Sequence, residues 1–297
     1  GNDEITVTDE NLTAEGITSH LVIDAGTGSN ALQMNDIADY TGDTVTMTNT
    51  VRTGYTSVTG LTSGQIHYKG AYGSGVELQT GEAADDITID GVIEQAHTTV
   101  KAGQGDDDVT VTSNNVRTSL DTKLTIKGED GLDIVDAIDS GFGVNIEGNS
   151  GADTIYGSSH NDVIKGDEGN DLIIAGLGAD EVEGNDGDDI IIGDLGNIKD
   201  ADGNEITSRA GIISSVDVLP GGEGDTINGG IGNDVVIGGD GNDVINESGM
   251  SVKQTNDGGF IVSGFAYSSN LNGSVYLIKT DYVGNLEWYK YFYEGYG

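Results

Sequence analysis

Residues 148–192 consist of five consecutive blocks of nine, which read GNSGADTIY, GSSHNDVIK, GDEGNDLII, AGLGADEVE and GNDGDDIII. Three further blocks, GGEGDTIN, GGIGNDVVI and GGDGNDVIN, return to the same phase before residue 247, the first of them one residue short. Each block has an Asp at its sixth place, or at the fifth in the short block: Asp153, Asp162, Asp171, Asp180, Asp189, Asp225, Asp234 and Asp243. Each also has an aliphatic residue two places later: Ile155, Ile164, Ile173, Val182, Ile191, Ile227, Val236 and Ile245. A period held through eight blocks predicts a repeat protein in which each unit stacks on its neighbours.

The composition of one block predicts its local structure. The first six residues are rich in Gly and Asp, which favour turns, and Gly adopts positive φ at little cost. The last three form a short strand whose middle side chain points inward and whose flanking side chains point outward. Two blocks, or eighteen residues, then complete one coil, and successive coils pair as parallel strands.

The recurring Asp residues indicate a metal site. A turn that carries a carboxylate and exposes backbone carbonyls offers oxygen ligands, and two stacked turns can surround a hard cation. Ca²⁺ suits such a site better than Mg²⁺, which keeps its waters and requires a tighter octahedron. The alternative is that each Asp only stabilises its own turn. The shared phase of eight Asp residues favours the metal.

This pattern resembles the RTX nonapeptide family, whose repeat is G-G-x-G-x-D-x-U-x. The resemblance implies an all-β fold, a right-handed parallel β-solenoid (β-roll) with several Ca²⁺ ions in its turns. It also implies a bacterial protein that is secreted by the type I route and acts outside the cell or at its surface.

The overall composition agrees with a cation-binding chain. The net charge is −39, with 51 acidic residues against 12 basic ones, so no basic patch is available for nucleic acid. Gly supplies 49 residues and Pro only one, which argues against collagen. Cys is absent from the sequence, which excludes disulfides and thiolate sites, and no apolar run is long enough to span a membrane. The opening GNDEI looks like the middle of a repeat, so we expect a processed form or a fragment.

The blocks are interrupted between Asp189 and Asp225, where the chain is longer by three blocks than the repeat requires. We expect a projecting β-hairpin at about 194–220. If the coil count is preserved, side one contains the blocks of Asp153, Asp171, Asp189 and Asp234, and side two contains those of Asp162, Asp180, Asp225 and Asp243. The outward residues of side one then form an apolar ladder: Leu172, Ile174, Ile190, Ile192, Val235 and Ile237. Those of side two are mostly polar: Val163, Lys165, Glu181, Glu183, Thr226 and Asn228. An exposed apolar ladder is usually covered, so we expect the hairpin, the C-terminal segment or a neighbouring copy to pack there.

Residues 1–147 carry the same pattern with longer, irregular coils. Asp85, Asp107 and Asp133 stand at the calcium-like place, and Asn30 replaces Asp in AGTGSNALQ. Because the spacings from Asp85 through Asp107 and Asp133 to Asp153 are unequal, the register of stacked turns does not follow from the sequence. Calcium sites and turns without metal both remain open for this half.

Residues 247–297 differ from the rest, because they hold 11 of the 17 aromatic residues but only five acidic residues. Their strand runs, separated by Asp257-Gly258-Gly259, Asn272-Gly273 and Gly284-Asn285, predict an antiparallel β module. The segment resembles a single bacterial β-propeller-type blade, and one copy cannot close a propeller. We expect it to pack on the solenoid or on another chain.

The sequence carries no signature of an enzyme. It has no HExxH, no GxSxG and no Cys nucleophile, and its four His residues are scattered. We therefore expect a calcium-dependent extracellular structural protein, such as a filament, surface-layer or stalk subunit, that associates with copies of itself through the apolar ladder and the C-terminal segment. The alternatives are an RTX binding module of a giant adhesin or toxin, and a non-catalytic part of a secreted enzyme.

Overall fold

The fold is described here from a computed structural model. The structure describes residues 1–8, 14, 17–50, 54–93, 96–112, 123–194, 196–199, 215–218, 223–232, 234–238, 243–246, 251–254, 260–268, 271–280 and 286–293. All regular elements in these ranges are β-strands, as the sequence predicts. They are β1 (Glu4–Val7), β2 (Leu21–Asp24), β3 (Ala31–Asn35), β4 (Thr44–Thr50), β5 (Tyr55–Thr59), β6 (Gln65–Lys69), β7 (Gly75–Gln79), β8 (Asp86–Ile89), β9 (His97–Gln104), β10 (Asp108–Val111), β11 (Lys123–Asp130), β12 (Ile134–Asp136), β13 (Asn145–Ser150), β14 (Thr154–Tyr156), β15 (Val163–Glu168), β16 (Leu172–Ile174), β17 (Glu181–Asp186), β18 (Ile190–Ile192), β19 (Gly196–Lys199), β20 (Ser215–Val218), β21 (Thr226–Asn228), β22 (Val235–Ile237), β23 (Val244–Asn246), β24 (Ser251–Gln254), β25 (Phe260–Ser268), β26 (Leu271–Thr280) and β27 (Leu286–Tyr293).

Two long sheets form the solenoid. Sheet A has ten strands in the order β1-β3-β7-β9-β11-β13-β15-β17-β21-β23, and all its pairs are parallel. Sheet B has eleven strands in the order β2-β6-β5-β4-β8-β10-β12-β14-β16-β18-β22. The chain alternates between the two sheets, so each coil contributes a strand to both. This architecture confirms the parallel β-solenoid.

The register shows that one coil contains eighteen residues in the nonapeptide region. Ile146 pairs with Ile164, and Ile164 pairs with Val182, each eighteen residues further on. Beyond the interruption, Val182 pairs with Ile227 and Ile191 pairs with Val236, so the step is the same in both sheets. The insertion therefore does not shift the register of the coils on either side of it, and the strands divide into the two sides that the sequence predicts. Within the interruption, β19 and β20 pair antiparallel.

The space between the sheets is filled by inward-pointing aliphatic side chains. Ile146, Ile155, Ile164, Ile173 and Ile191 are fully buried, one for each half-coil. The coils near the N-terminus enclose larger residues, including Leu32, Met34, Met47, Leu61 and Tyr68. Parallel sheets are usually covered on their faces, and burial of these aliphatic side chains stabilises the stack because it removes apolar surface from water.

Sheet B departs from the parallel pattern at one place. β4, β5 and β6 form an antiparallel meander before the chain rejoins β8, which pairs parallel with β4. The meander lengthens the coil, so Asp43 and Asp85 are 42 residues apart and still stacked.

The apolar ladder of side one is buried within the chain itself, except at Val235, which is partly exposed. Leu172 and Ile192 are fully buried, Ile190 is 4% exposed, and together with Ile174 they form a cluster separate from the main core. Part of the C-terminal module lies nearby, because β24 contacts β22 at one end of this ladder. The corresponding residues of side two stay at the surface, among them Glu181 and Val163. The ladder is therefore covered, as its apolar composition requires.

The C-terminal residues form a separate four-stranded antiparallel sheet in the order β24-β25-β26-β27. Trp288 and Tyr289 on β27 are exposed to 43% and 62%, respectively.

We predict that Ile190→Asp destabilises the protein far more than Val163→Asp. Both residues begin their strands at the seventh place of a block, but Ile190 is 4% exposed and Val163 is 36% exposed. An unpaired charge in the buried ladder should cost about 3 kcal/mol or more, and the surface substitution well under about 1 kcal/mol. Chemical unfolding in saturating calcium measures both. Equal losses in the two variants would show that the ladder is not a packed interface.

Candidate metal sites

The Asp residues of side one form a continuous hydrogen-bonded ladder along one edge of the solenoid. The backbone N–H of each Asp donates to Oδ1 of the Asp in the next coil. The N···Oδ1 distances are 2.6 Å for Asp43 to Asp85, 2.7 Å for Asp85 to Asp107, and 2.9 Å for Asp107 to Asp133, Asp133 to Asp153, Asp153 to Asp171, Asp171 to Asp189 and Asp189 to Asp234. Asp85, Asp107 and Asp133 thus belong to the same row as the nonapeptide Asp residues. The coils differ in length, and the additional residues lie outside these stacked turns.

Side two carries a second, shorter ladder. Asp162 donates to Asp180 at 2.9 Å, Asp180 to Asp225 at 3.0 Å, and Asp225 to Asp243 at 3.3 Å. Near the N-terminus, Asn30 accepts from the N–H of Asp3 at 2.9 Å and so makes the same bond with an amide oxygen. The structure thus brings the eleven predicted site residues together in two rows rather than in one cluster.

The ladder hydrogen bonds go to Oδ1 of each Asp, so the second carboxylate oxygen, Oδ2, receives none of them. Oδ2 is buried and has no hydrogen-bond partner at Asp107, Asp133, Asp153, Asp171, Asp180 and Asp225. All six residues are at most 2% exposed. A buried carboxylate needs a proton, an opposite charge or a metal ion, because loss of its hydration is costly. These oxygens are therefore candidate metal ligands.

Glycine leaves room for a cation beside these oxygens. A Cβ atom at Gly148 would contact Oδ2 of Asp153 and the carbonyl oxygen of Gly166 in the next coil. The same two contacts recur at Gly128, Gly166 and Gly184, and Gly193 lies in the same way against Asp225. A carboxylate and a backbone carbonyl that face a space with no side chain match the all-oxygen ligand set of Ca²⁺. The residues therefore fit calcium at these turns.

Two turns in the first half of the chain are built differently. Thr80 occupies the place of the first glycine in the turn of Asp85, and its buried hydroxyl donates to the carbonyl of Ala102. Ala102 occupies that place in the turn of Asp107 and is also buried. A side chain thus occupies part of the space that glycine leaves open at Gly128, Gly148, Gly166 and Gly184. Ala175, also buried, holds the same place in the turn of Asp180. The ladder is continuous, but the space for a cation is not.

The structure adds an acidic group that the sequence reasoning missed. Carboxylate oxygens of Asp36, Asp39 and Asp43 lie within 4.8 Å of one another, and Asp36 and Asp43 flank the turn that precedes Asp85 in the stack. The signal in the sequence was Gly42-Asp43-Thr44-Val45, which matches the end of a nonapeptide turn in a somewhat longer loop.

Burial raises the pKa of every nonapeptide Asp for which a shift is resolved. Loss of hydration is the largest cause, and carboxylates of neighbouring coils add to it for most of them. The pKa rises to about 8 for Asp107 and Asp180, to about 7 for Asp133, Asp171 and Asp225, and to about 6 for Asp153 and Asp162. The hydrogen bond from the preceding coil lowers each pKa but does not offset burial.

A stack of parallel coils with oxygen-lined turns on both edges defines the class of the protein as a metal-binding β-roll. Comparison with protein families identifies the RTX calcium-binding nonapeptide repeat (4 copies) at residues 145–173, 165–197 and 220–246. These coils are RTX repeats and bind Ca²⁺, as the sequence predicts. No curated protein matches the chain. In the part of the chain that the structure describes, no helix has the length and apolarity needed to cross a bilayer.

We predict that the calcium-free protein becomes less stable as the pH rises from about 4 to about 8. The folded-state pKa values of about 6 to 8 lie above the ordinary value of 3.8, so the folded chain holds protons that the unfolded chain has released. That contribution to stability is complete below about pH 4 and is lost as the pH passes the folded-state values. Melting of calcium-stripped protein at constant ionic strength measures the effect. A melting temperature that rises over this range would contradict it.

Proposed function

We propose that the chain is a calcium-dependent structural element of a secreted bacterial protein, a stalk, surface-layer or filament subunit without catalytic activity. The observation that carries this proposal is the double row of buried carboxylates with unsatisfied oxygens. Such rows suit a rod that becomes rigid when cations neutralise them, and RTX repeats are typical of secreted bacterial proteins.

Calcium links the folding of this element to its location. Without cations, stacked carboxylates repel one another and lose their hydration, so the coils from Asp133 to Asp243 are unstable at neutral pH. Extracellular modules bind calcium with dissociation constants of roughly 10⁻⁴–10⁻³ M, which lie far above the concentration of free calcium in the cytosol. Such a chain can leave the cell unfolded, by the type I route in our proposal, and fold outside.

The shape of the solenoid supports a structural role. Strand edges are templates for pairing with another chain, and a head-to-tail contact between solenoids does not close on itself. End-to-end stacking would therefore produce fibres.

We predict that removal of calcium unfolds the nonapeptide coils. In excess EGTA at pH 7.5, the far-UV circular dichroism of β-structure should fall, and hydrogen exchange should increase most at residues 128–246. Calcium should restore both signals, and an equal concentration of Mg²⁺ should not. A chain that stays fully folded in excess EGTA would refute the proposal.

One observation favours a second function, the binding module of an adhesin or toxin. Trp288 and Tyr289 are large aromatic residues that remain exposed on β27, and such residues often anchor binding partners. Electron microscopy of the calcium-loaded protein discriminates between the two functions. Regular fibres support the structural subunit, and monodisperse rods support the binding module.

A further inference from the structure

The turn at residues 157–162, which connects β14 to β15, differs in backbone conformation from the turn of Asp180, which follows it in the same row. None of its six residues has a positive φ. In the corresponding turn of the next coil, Gly176 and Gly178 have φ of 111° and 132°. Ser158 and His160 stand at the places of these two glycines, and left-handed conformations are unfavourable for such side chains.

Ser158 uses this different conformation to satisfy the carboxylate of Asp162. Its backbone N–H donates to Oδ2 at 2.6 Å, and its hydroxyl lies 3.0 Å from both Oδ1 and Oδ2. Oδ1 also accepts from the N–H of Val144 at 2.7 Å. Both Ser158 and Asp162 are 2% exposed. Donors on both oxygens replace part of the hydration that burial removes, which lowers the demand of this carboxylate for a cation.

The position of Asp162 relative to Gly157 also shows that its carboxylate is oriented differently. A Cβ atom at Gly157 would lie 2.9 Å from Oδ2 of Asp162, whereas the equivalent oxygens of Asp153, Asp171 and Asp189 lie closer to their glycines. The carboxylate of Asp162 is thus turned toward Ser158. The next two members of the same ladder differ, because Oδ2 of Asp180 and Oδ2 of Asp225 are buried without a hydrogen-bond partner.

We infer that the turn of Asp162 does not bind calcium, because the hydroxyl and N–H of Ser158 take the place of the ion. The sequence pattern alone predicts a site here. The calcium row of side two then begins after Asp162, while that of side one begins at Asp133. Asp162 serves as a metal-free start of its row, since its carboxylate accepts from Val144 and its N–H still donates to Asp180 at 2.9 Å. The inference rests on calcium binding by the other nonapeptide turns.

Native mass spectrometry of the full chain in saturating calcium tests the inference by counting bound ions. Asp162→Asn should leave the number of ions unchanged, whereas Asp171→Asn, at an open site, should lower it. Asn is a suitable replacement because Asn30 already makes the ladder bond with its amide oxygen. The double variant Ser158→Gly with His160→Gly changes GSSHND to GGSGND, matches the regular pattern and should bind one more ion than the original chain.

The outcomes separate the inference from the general function. Loss of an ion in Asp162→Asn, with circular dichroism unchanged, would overturn the inference. If that variant unfolds, the double variant decides, because it keeps every carboxylate, and an unchanged ion count would overturn the inference. If Asp171→Asn loses no ion, calcium binding by the regular turns is itself wrong.

Discussion

The structure depends on one hydrogen bond, from the backbone N–H of an Asp in one coil to the carboxylate of the Asp in the next. This bond repeats along side one from Asp43 to Asp234, and it fixes the register of every coil it joins. It also uses only one oxygen of each carboxylate and buries the other. The same contact that orders the stack therefore creates the demand for a cation, because like charges at the spacing of neighbouring strands, about 4.8 Å, repel one another.

How each turn meets this demand is decided by one or two small residues. Gly148, Gly166 and Gly184 leave a space lined by oxygen atoms, which fits calcium. Thr80 places a hydroxyl in that space, and Ser158 donates hydrogen bonds directly to a carboxylate. A cation beside glycine and hydrogen bonds from Ser158 are thus alternative solutions to the same electrostatic problem. Both occur in the nonapeptide region, because the turn of Asp162 lies between those of Asp153 and Asp171 along the chain.

The two outer faces of the solenoid differ in burial. On side one, Leu172, Ile190 and Ile192 are buried by the chain itself, and the C-terminal module lies against the end of this ladder. On side two, Lys165 and Glu183 pair across coils at 2.8 Å and remain partly exposed. One face therefore contributes to stability and the other faces solvent, although both sheets share the same inward core.

The sequence by itself determined the eighteen-residue coil, the phase of the interruption and the division into two sides. Inward aliphatic residues and turn glycines repeat at fixed distances, so a period alone specifies them. It also identified Asp85, Asp107 and Asp133 as members of the series, but their unequal spacings hid whether they stack. Only the tertiary structure decided that they join the row, that Asp43 extends it, and that Thr80 and Ser158 occupy the place of an ion. The physical reason is that a ligand set is assembled from different coils. The packing of the backbone determines which residues contribute ligands and how much space lies between them. The sequence repeat indicates only where each coil turns.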